Sequence, residues 1–270
     1  MGRIKYIHFT DLSANYSISV TGKNCALNCQ HCNKKFLGSM GSLDGIIKPG
    51  IKSILISGGC DISGKVPILR FAKRINELKN KYKINAHAGL VSKSEAKVIG
   101  SLVDIVSFDF VCKREIIREI YKSDKKPLDY YCSLTWLQKE STVVPHLTLG
   151  LWRGRIDWEY KAVNILVNKF NFPKIVFNIF IPLPGTELAN QQIPTIKSIK
   201  DFFIYLKENY PKLDKRLGCM RSGGLYRSKV DQLALLSGFN VITKPSVKTV
   251  LLASRTDCQI FWHDQCCVFI

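Results

Sequence analysis

Acidic residues are scarce in this 270-residue chain: 21 Asp and Glu stand against 40 Lys and Arg, for a net charge of +19. A field of that sign attracts nucleic acid, acidic proteins or anionic substrates. The lysines are dispersed, singly or in pairs such as Lys34-Lys35 and Lys125-Lys126, so a soluble, self-repelling surface explains the charge equally well. No arginine-rich arm and no zinc-finger or RNA-binding signature accompanies them, which leaves nucleic acid the less favoured partner. There is no apolar run long enough to span a bilayer and no charged-then-apolar leader, so the expectation is a cytoplasmic protein without a membrane anchor. Linkers, internal repeats and low-complexity tracts are also missing. Ten cysteines are present, but the chain is neither short nor visibly secreted, so thiolate ligands in a reducing cytosol are expected rather than disulfides.

Two further absences concern how those cysteines are grouped. Cys25-Ala26-Leu27-Asn28-Cys29-Gln30-His31-Cys32 places three thiols in one short loop, spaced by three residues and then two. Zinc sites usually build on paired Cys-x2-Cys knuckles with a second pair downstream. Cys29 and Cys32 would form one knuckle, but Cys25 would be surplus and no matching pair follows. Nor does a fourth cysteine lie close by in the chain. Four-iron clusters are normally held by four Cys thiolates. A triplet therefore leaves one iron open to an exogenous ligand, as catalytic metal sites require. Ahead of the loop, Tyr16-Ser17-Ile18-Ser19-Val20 alternates like a strand and Thr21-Gly22-Lys23-Asn24 reads as a turn. The triplet is thus expected at the C-terminal end of a strand.

Strand, Cys-x3-Cys-x2-Cys loop and a ring-bearing residue before the last cysteine (His31) resemble the radical S-adenosylmethionine (SAM) superfamily. The resemblance implies a 4Fe-4S cluster on Cys25, Cys29 and Cys32 whose open iron is chelated by SAM. Its electron would cleave the sulfonium to give a 5′-deoxyadenosyl radical. A non-catalytic, Cys-rich module holding zinc is the alternative.

Along the chain, apolar β-branched runs alternate with amphipathic helical stretches. Strands are predicted at Tyr16–Val20, Ser53–Ile56, Ile84–His87, Val103–Phe108, Val143–Leu151 and Ile175–Ile181, with two shorter ones around Leu217 and Val241. Helices are predicted near 66–80, 92–100, 113–121, 157–169, 196–208 and 226–237. Such alternation implies a parallel sheet. Seven or eight units without a break imply a single (β/α) TIM-type barrel, expected over 1–255, with a Cys-containing C-terminal tail over 256–270.

A parallel barrel places its chemistry at the C-terminal strand ends. The second predicted strand ends in Gly58-Gly59-Cys60-Asp61. Paired glycines allow a ligand to approach the backbone closely, and equally make a tight turn. In the superfamily a Gly-Gly-Glu motif meets the SAM ammonium group; here Cys60-Asp61 follows the glycines, with Asp61 as a candidate acceptor. His87, Asp109, and His146 with Gly150 lie at the ends of the next three strands, and Pro184-Gly185 follow the sixth. These are the candidate cofactor contacts, two histidines among them suggesting a polar cavity. By resemblance to biotin-synthase-like members, the Gly150 region and the Pro-Gly-Thr turn flank the adenosine of SAM.

In the last third stand Gly218-Cys219-Met220-Arg221, Tyr226-Arg227, Cys258 and Asp264-Gln265-Cys266-Cys267. This portion resembles the archaeal and bacterial biotin-synthase-related proteins, one of which is a component of the two-subunit archaeal lipoyl synthase. It implies that Cys219, Cys266 and Cys267, with Cys258 as a fourth candidate, hold an auxiliary iron–sulfur cluster used as sulfur donor. Buried small apolar groups are the other reading of these cysteines, and Cys112 and Cys132 are expected to be structural. Arg221 and Arg227 are candidate catalytic residues. The implied reaction inserts sulfur into an octanoyl chain on an acidic lipoyl-carrier domain. It would need a low-potential electron donor and a second radical SAM subunit. A radical SAM enzyme of other chemistry, such as RNA modification, is the runner-up.

Overall fold

A computed structural model describes residues 6–270. Its strands are β1 (Tyr6–Thr10), β2 (Asn15–Ser19), β3 (Gly41–Ser42), β4 (Ser53–Ser57), β5 (Lys83–Ala86), β6 (Ile105–Asp109), β7 (Thr142–Leu149), β8 (Lys174–Ile179), β9 (Asp214–Leu217), β10 (Val241–Thr243) and β11 (Gln259–His263). The α-helices are α1 (Ala72–Lys79), α2 (Lys93–Leu102), α3 (Pro127–Glu140), α4 (Trp158–Asn164), α5 (Ile196–Asn209), α6 (Gly224–Leu236) and α7 (Val247–Ser254). Single π-helical turns occupy Ile116–Ile120 and Ile165–Lys169. No helix among the described residues is long and apolar enough to cross a membrane.

The chain forms two compact units. The first comprises Ala14–Pro145 and Leu183–Asn190; the second comprises the segment ending at Ser13, His146–Pro182 and Gln191–Ile270. Strands of the first unit run in the order β6-β5-β4-β2-β3, with every neighbouring pair parallel. Ile18 of β2 stands opposite Ile56 of β4, which stands opposite Ala86 of β5, all three sealed from solvent. Burial of such β-branched runs on both faces is what parallel sheets require. Ile75 and Leu78 of α1 and Ala96 and Ile99 of α2 add to this core. Helix α2 starts where Ser92 and Glu95 form a reciprocal capping box, and α3 starts with Pro127, whose fixed φ suits a first helical turn.

Strands of the second unit run β11-β1-β10-β9-β8-β7, again parallel. Its core is aromatic: Phe177 of β8 meets Phe202 of α5 edge-on at 5.8 Å, and Phe203 lies 4.5 Å from Phe239. Ile199, Phe202, Phe203 and Leu206 recur at helical spacing and are fully buried.

The parallel α/β class is as predicted, but the strand count is not: there are eleven among the described residues rather than seven or eight. Strands β1, β3 and β11 account for the excess, and α3 and α7 were also not expected. The segment predicted as a tail contains β11, all five of whose residues pair in register with β1.

Candidate metal and cofactor site

The cysteine loop follows β2 as predicted, and the main chain shapes it. Hydrogen bonds from Asn24 N to Thr21 O, and from both Cys32 N and Asn33 N to Cys29 O, fold it into successive turns. Beyond it Asn33 and Lys34 take left-handed conformations, with φ of 42° and 63°. That twist brings the N–H groups of Lys34, Phe36 and Lys35 near the Cys32 sulfur, partly offsetting the burial that raises its pKa, while Lys35 N–H donates to the Cys32 carbonyl at 3.0 Å. Backbone N–H groups aimed at a sulfur favour its ionised, ligating form. The Cys25 sulfur receives the N–H of Cys60 at 3.3 Å.

Gly58-Gly59-Cys60, at the end of β4, is laid directly against this loop. Ala26 N donates to Cys60 O at 2.7 Å and Gly59 N to the Thr21 hydroxyl at 2.7 Å. A β-carbon on Gly59 would overlap the Asn24 carbonyl oxygen and stand 2.5 Å from that of Cys25. The glycine is therefore required by the close approach of two backbones. Asp61 closes its own turn and also borders a groove with Asn24 and Cys25 of the loop. One of its carboxylate oxygens accepts from Ser63 N and Oγ and from Lys65 N, closing the segment that follows.

Four thiols thus come together, although only three were grouped in sequence. Burial, reinforced by Cys32 and Cys25, pushes the Cys29 thiol up to about 12. Burial, reinforced by Cys25 and Cys29, does the same for Cys60. Such thiols stay neutral unless a cation compensates their charge, and a coordinating metal deprotonates a thiol outright. No three His, Cys, Asp or Glu side chains among the described residues converge as a site for a single ion. A cubane instead takes one thiolate at each iron and needs the sulfurs set apart. The donor set and its N–H support fit such a cluster.

Cys29 and Cys60 line a recess with His31, His87, Asp109 and Tyr121. The predicted contacts His87 and Asp109 are paired there, Nδ1 to Oδ2 at 3.1 Å. His31 is held neutral, its pKa drawn down to about 4 by burial, and its Nδ1 has no hydrogen-bond partner among the described residues. Tyr121 was missed in sequence. The π-turn before it brings the Ile120 carbonyl to Gln30 N at 2.8 Å, and the Tyr121 carbonyl accepts from the Cys29 thiol at 3.6 Å. Helical periodicity cannot announce a π-turn, though such turns recur at functional sites. Pro184 and Gly185 belong to a segment that touches the loop: Leu188 N bonds Gln30 O, and Glu187 pairs with Lys122.

The remaining candidates lie in the second unit. His146 is buried within β7. Gly150 donates its N–H to Glu159 at 2.8 Å, and that carboxyl is fully buried, its pKa lifted to about 8 by desolvation. Arg221 is sealed from solvent in a 2.6 Å ion pair with Asp231 and also bonds the carbonyls of Gly218, Thr243 and Lys244. Its guanidinium positions the chain where β9 and β10 end. Arg227 Nε reaches the Lys244 carbonyl at 3.3 Å, while one terminal nitrogen is buried without a partner among the described residues.

Cys219, Cys266 and Cys267 are close enough for their charges to interact. A hydrogen bond between the adjacent thiols raises Cys266 and lowers Cys267. Arg216, fully engaged between Asp214 and the Cys267 carbonyl, anchors the terminal segment, a contact no sequence pattern suggested. Cys258 stands apart, with burial alone raising its pKa.

The parallel α/β fold is shared with solved structures of distant sequence. Methylornithine synthase PylB is similar with a TM-score of 0.62 at 13% identity, over 88% of this chain and 72% of that one. SuiB of Streptococcus suis, solved bound to S-adenosylmethionine, is similar with a TM-score of 0.52 at 12% identity, over 82% of this chain and 56% of that one. Likeness at such identities establishes the fold alone. No protein-family model and no curated protein matches the chain.

Proposed function

We propose that the chain is a radical SAM enzyme, with Cys25, Cys29 and Cys32 holding a 4Fe-4S cluster that binds SAM. The observation that carries this reading is the loop itself: a three-thiol turn whose Cys25 and Cys32 sulfurs meet backbone N–H groups. The fold shared with SuiB supports it. Cys25, Cys29 and Cys32 would hold the cluster, which with SAM would supply one-electron chemistry able to activate a C–H bond.

The protein's part is to hold and shield. Gly58 and Gly59 bring β4 onto the loop and fix the thiols against each other. The Asp109 carboxylate, paired with His87 at the recess, offers an acceptor to polar groups of SAM. Phe108 and Tyr130, nearly sealed from solvent, wall the recess and limit water around a reactive species.

Within this reading we assign sulfur insertion as the chemistry, with an auxiliary cluster on Cys219, Cys266 and Cys267. The proximity of these three thiols in the second unit favours it. The substrate would be an octanoyl chain on an acidic lipoyl-carrier domain, suited to the +19 net charge. A second radical SAM subunit and a low-potential electron donor complete the proposed partners. The test is anaerobic reconstitution followed by iron, sulfide and SAM-cleavage assays. About eight irons per chain are expected for two clusters and about four for one. Cys29→Ser should abolish SAM cleavage. Retained cleavage without iron at the loop would overturn the assignment.

A further inference from the structure

We propose that Cys60 is a fourth, displaceable protein ligand of the loop cluster: with SAM absent its sulfur caps the iron that the triplet leaves open, and it gives way when SAM binds. This rests on the reading that Cys25, Cys29 and Cys32 hold a four-iron cluster. A cubane offers one thiolate position at each of its irons. The loop fills all but one, and Cys60 is the further thiol lining the same recess.

The placement is built rather than incidental. Cys60 is tied to the loop in both directions, donating its N–H to the Cys25 sulfur and accepting the Ala26 N–H on its carbonyl. Gly59 packs closely against Asn24 and Cys25, which holds the neighbouring Cys60 against the triplet. Cys60 lines both the recess that holds Cys29 and a groove lined by Cys25. The Cys60 sulfur makes no hydrogen bond among the described residues, which leaves it free to coordinate.

The exchange needs no oxidant or reductant. On capping, the Cys60 thiol releases one proton to solvent and forms one Fe–S bond. On displacement that bond breaks, the sulfur takes a proton back, and the amino and carboxylate groups of SAM occupy the position. A capped resting state would guard an iron that is otherwise the one most readily lost. It would also weaken SAM binding by the fraction of chains in the capped state.

Mössbauer spectra of the anaerobically reconstituted full chain test this without any variant. All irons should have sulfur-only surroundings before SAM is added, and one should become distinct afterwards. Cys60→Ala should show the distinct iron from the outset and bind SAM several-fold more tightly. Mild ferricyanide should convert it several-fold more completely to a three-iron cluster, read by electron paramagnetic resonance. A residue that merely packs against the loop would loosen SAM binding instead. A distinct iron in wild-type protein before SAM is added overturns the proposal and leaves the three-cysteine cluster intact. If Cys60→Ala cannot be reconstituted, the wild-type spectra decide alone. Failure to assemble any four-iron cluster would overturn the underlying reading, and this one with it.

Discussion

Gly59 and Asn24 touch backbone to backbone: a β-carbon on the glycine would overlap the asparagine carbonyl oxygen. The contact fastens the end of β4 to the loop that carries Cys25, and the atoms it meets belong to the main chain rather than to a flexible side chain. Gly59→Ala is therefore expected to displace the loop while the rest of the first unit stays folded. Reconstituted iron should fall by more than half with an unchanged far-ultraviolet dichroism spectrum. Full iron occupancy would show that the loop can retreat without loss.

Arg221 and Asp231 form an ion pair from which solvent is wholly excluded. Asp231 also accepts the N–H of Ser246 at 2.8 Å, so the pair ties α6 to the segment after β10. Removing one partner strands a buried charge, a loss of about 3–5 kcal/mol. Asp231→Ala should lower the urea midpoint accordingly, and Asp231→Asn, which keeps an acceptor for the Ser246 N–H, should lower it less. A change below about 1 kcal/mol would mean that water replaces the lost carboxylate.

Glu159 gives the fold a pH dependence. Its pKa is raised from 4.5 to about 8 because burial disfavours the carboxylate. Between those values the folded state binds more protons than the unfolded state, so stability falls as pH rises through that window. The full effect is on the order of 3–5 kcal/mol. Urea midpoints should decline from pH 5 to pH 8, and Glu159→Gln should flatten the decline. The variant should also be less stable at low pH, because both carboxyl oxygens accept backbone N–H groups, from Gly150 and Asp157, and an amide can accept at only one end. A wild-type profile as flat as the variant's would mean that the carboxyl is solvated.

Cys219 and Cys266 separate the two proposed clusters. Cys219→Ser and Cys266→Ser should each remove only iron in excess of about four per chain and leave SAM cleavage intact. Loss of cleavage with full iron would dissolve this partition of the sites.

The triplet was legible because its chemistry is local: three thiols within one turn-forming segment state their own spacing. Cys60 is legible only as a candidate cofactor contact after the paired glycines; its meeting with Cys25 across 35 residues is not. His87 and Asp109 are each marked by position at a strand end, yet nothing in the chain announces that they pair. Arg221 looks catalytic in sequence because a charge after a strand reads as chemistry until its burial against Asp231 is seen. Strands β1 and β11 escape notice for a related reason. Each is short and aromatic, and the two are brought side by side from opposite ends of the sequence.

The N–H groups facing the Cys32 sulfur come from Lys34, Lys35 and Phe36, and belong to the peptide units rather than to the side chains. Exchanging the Lys35 and Phe36 side chains leaves their N–H groups in place, whereas Asn33 and Lys34 hold left-handed φ values that β-branched residues resist. Only proline deletes a contributor. The stretch between Cys32 and Leu37 is therefore held by backbone conformation at Asn33 and Lys34 and free to vary in side chain at Lys35 and Phe36.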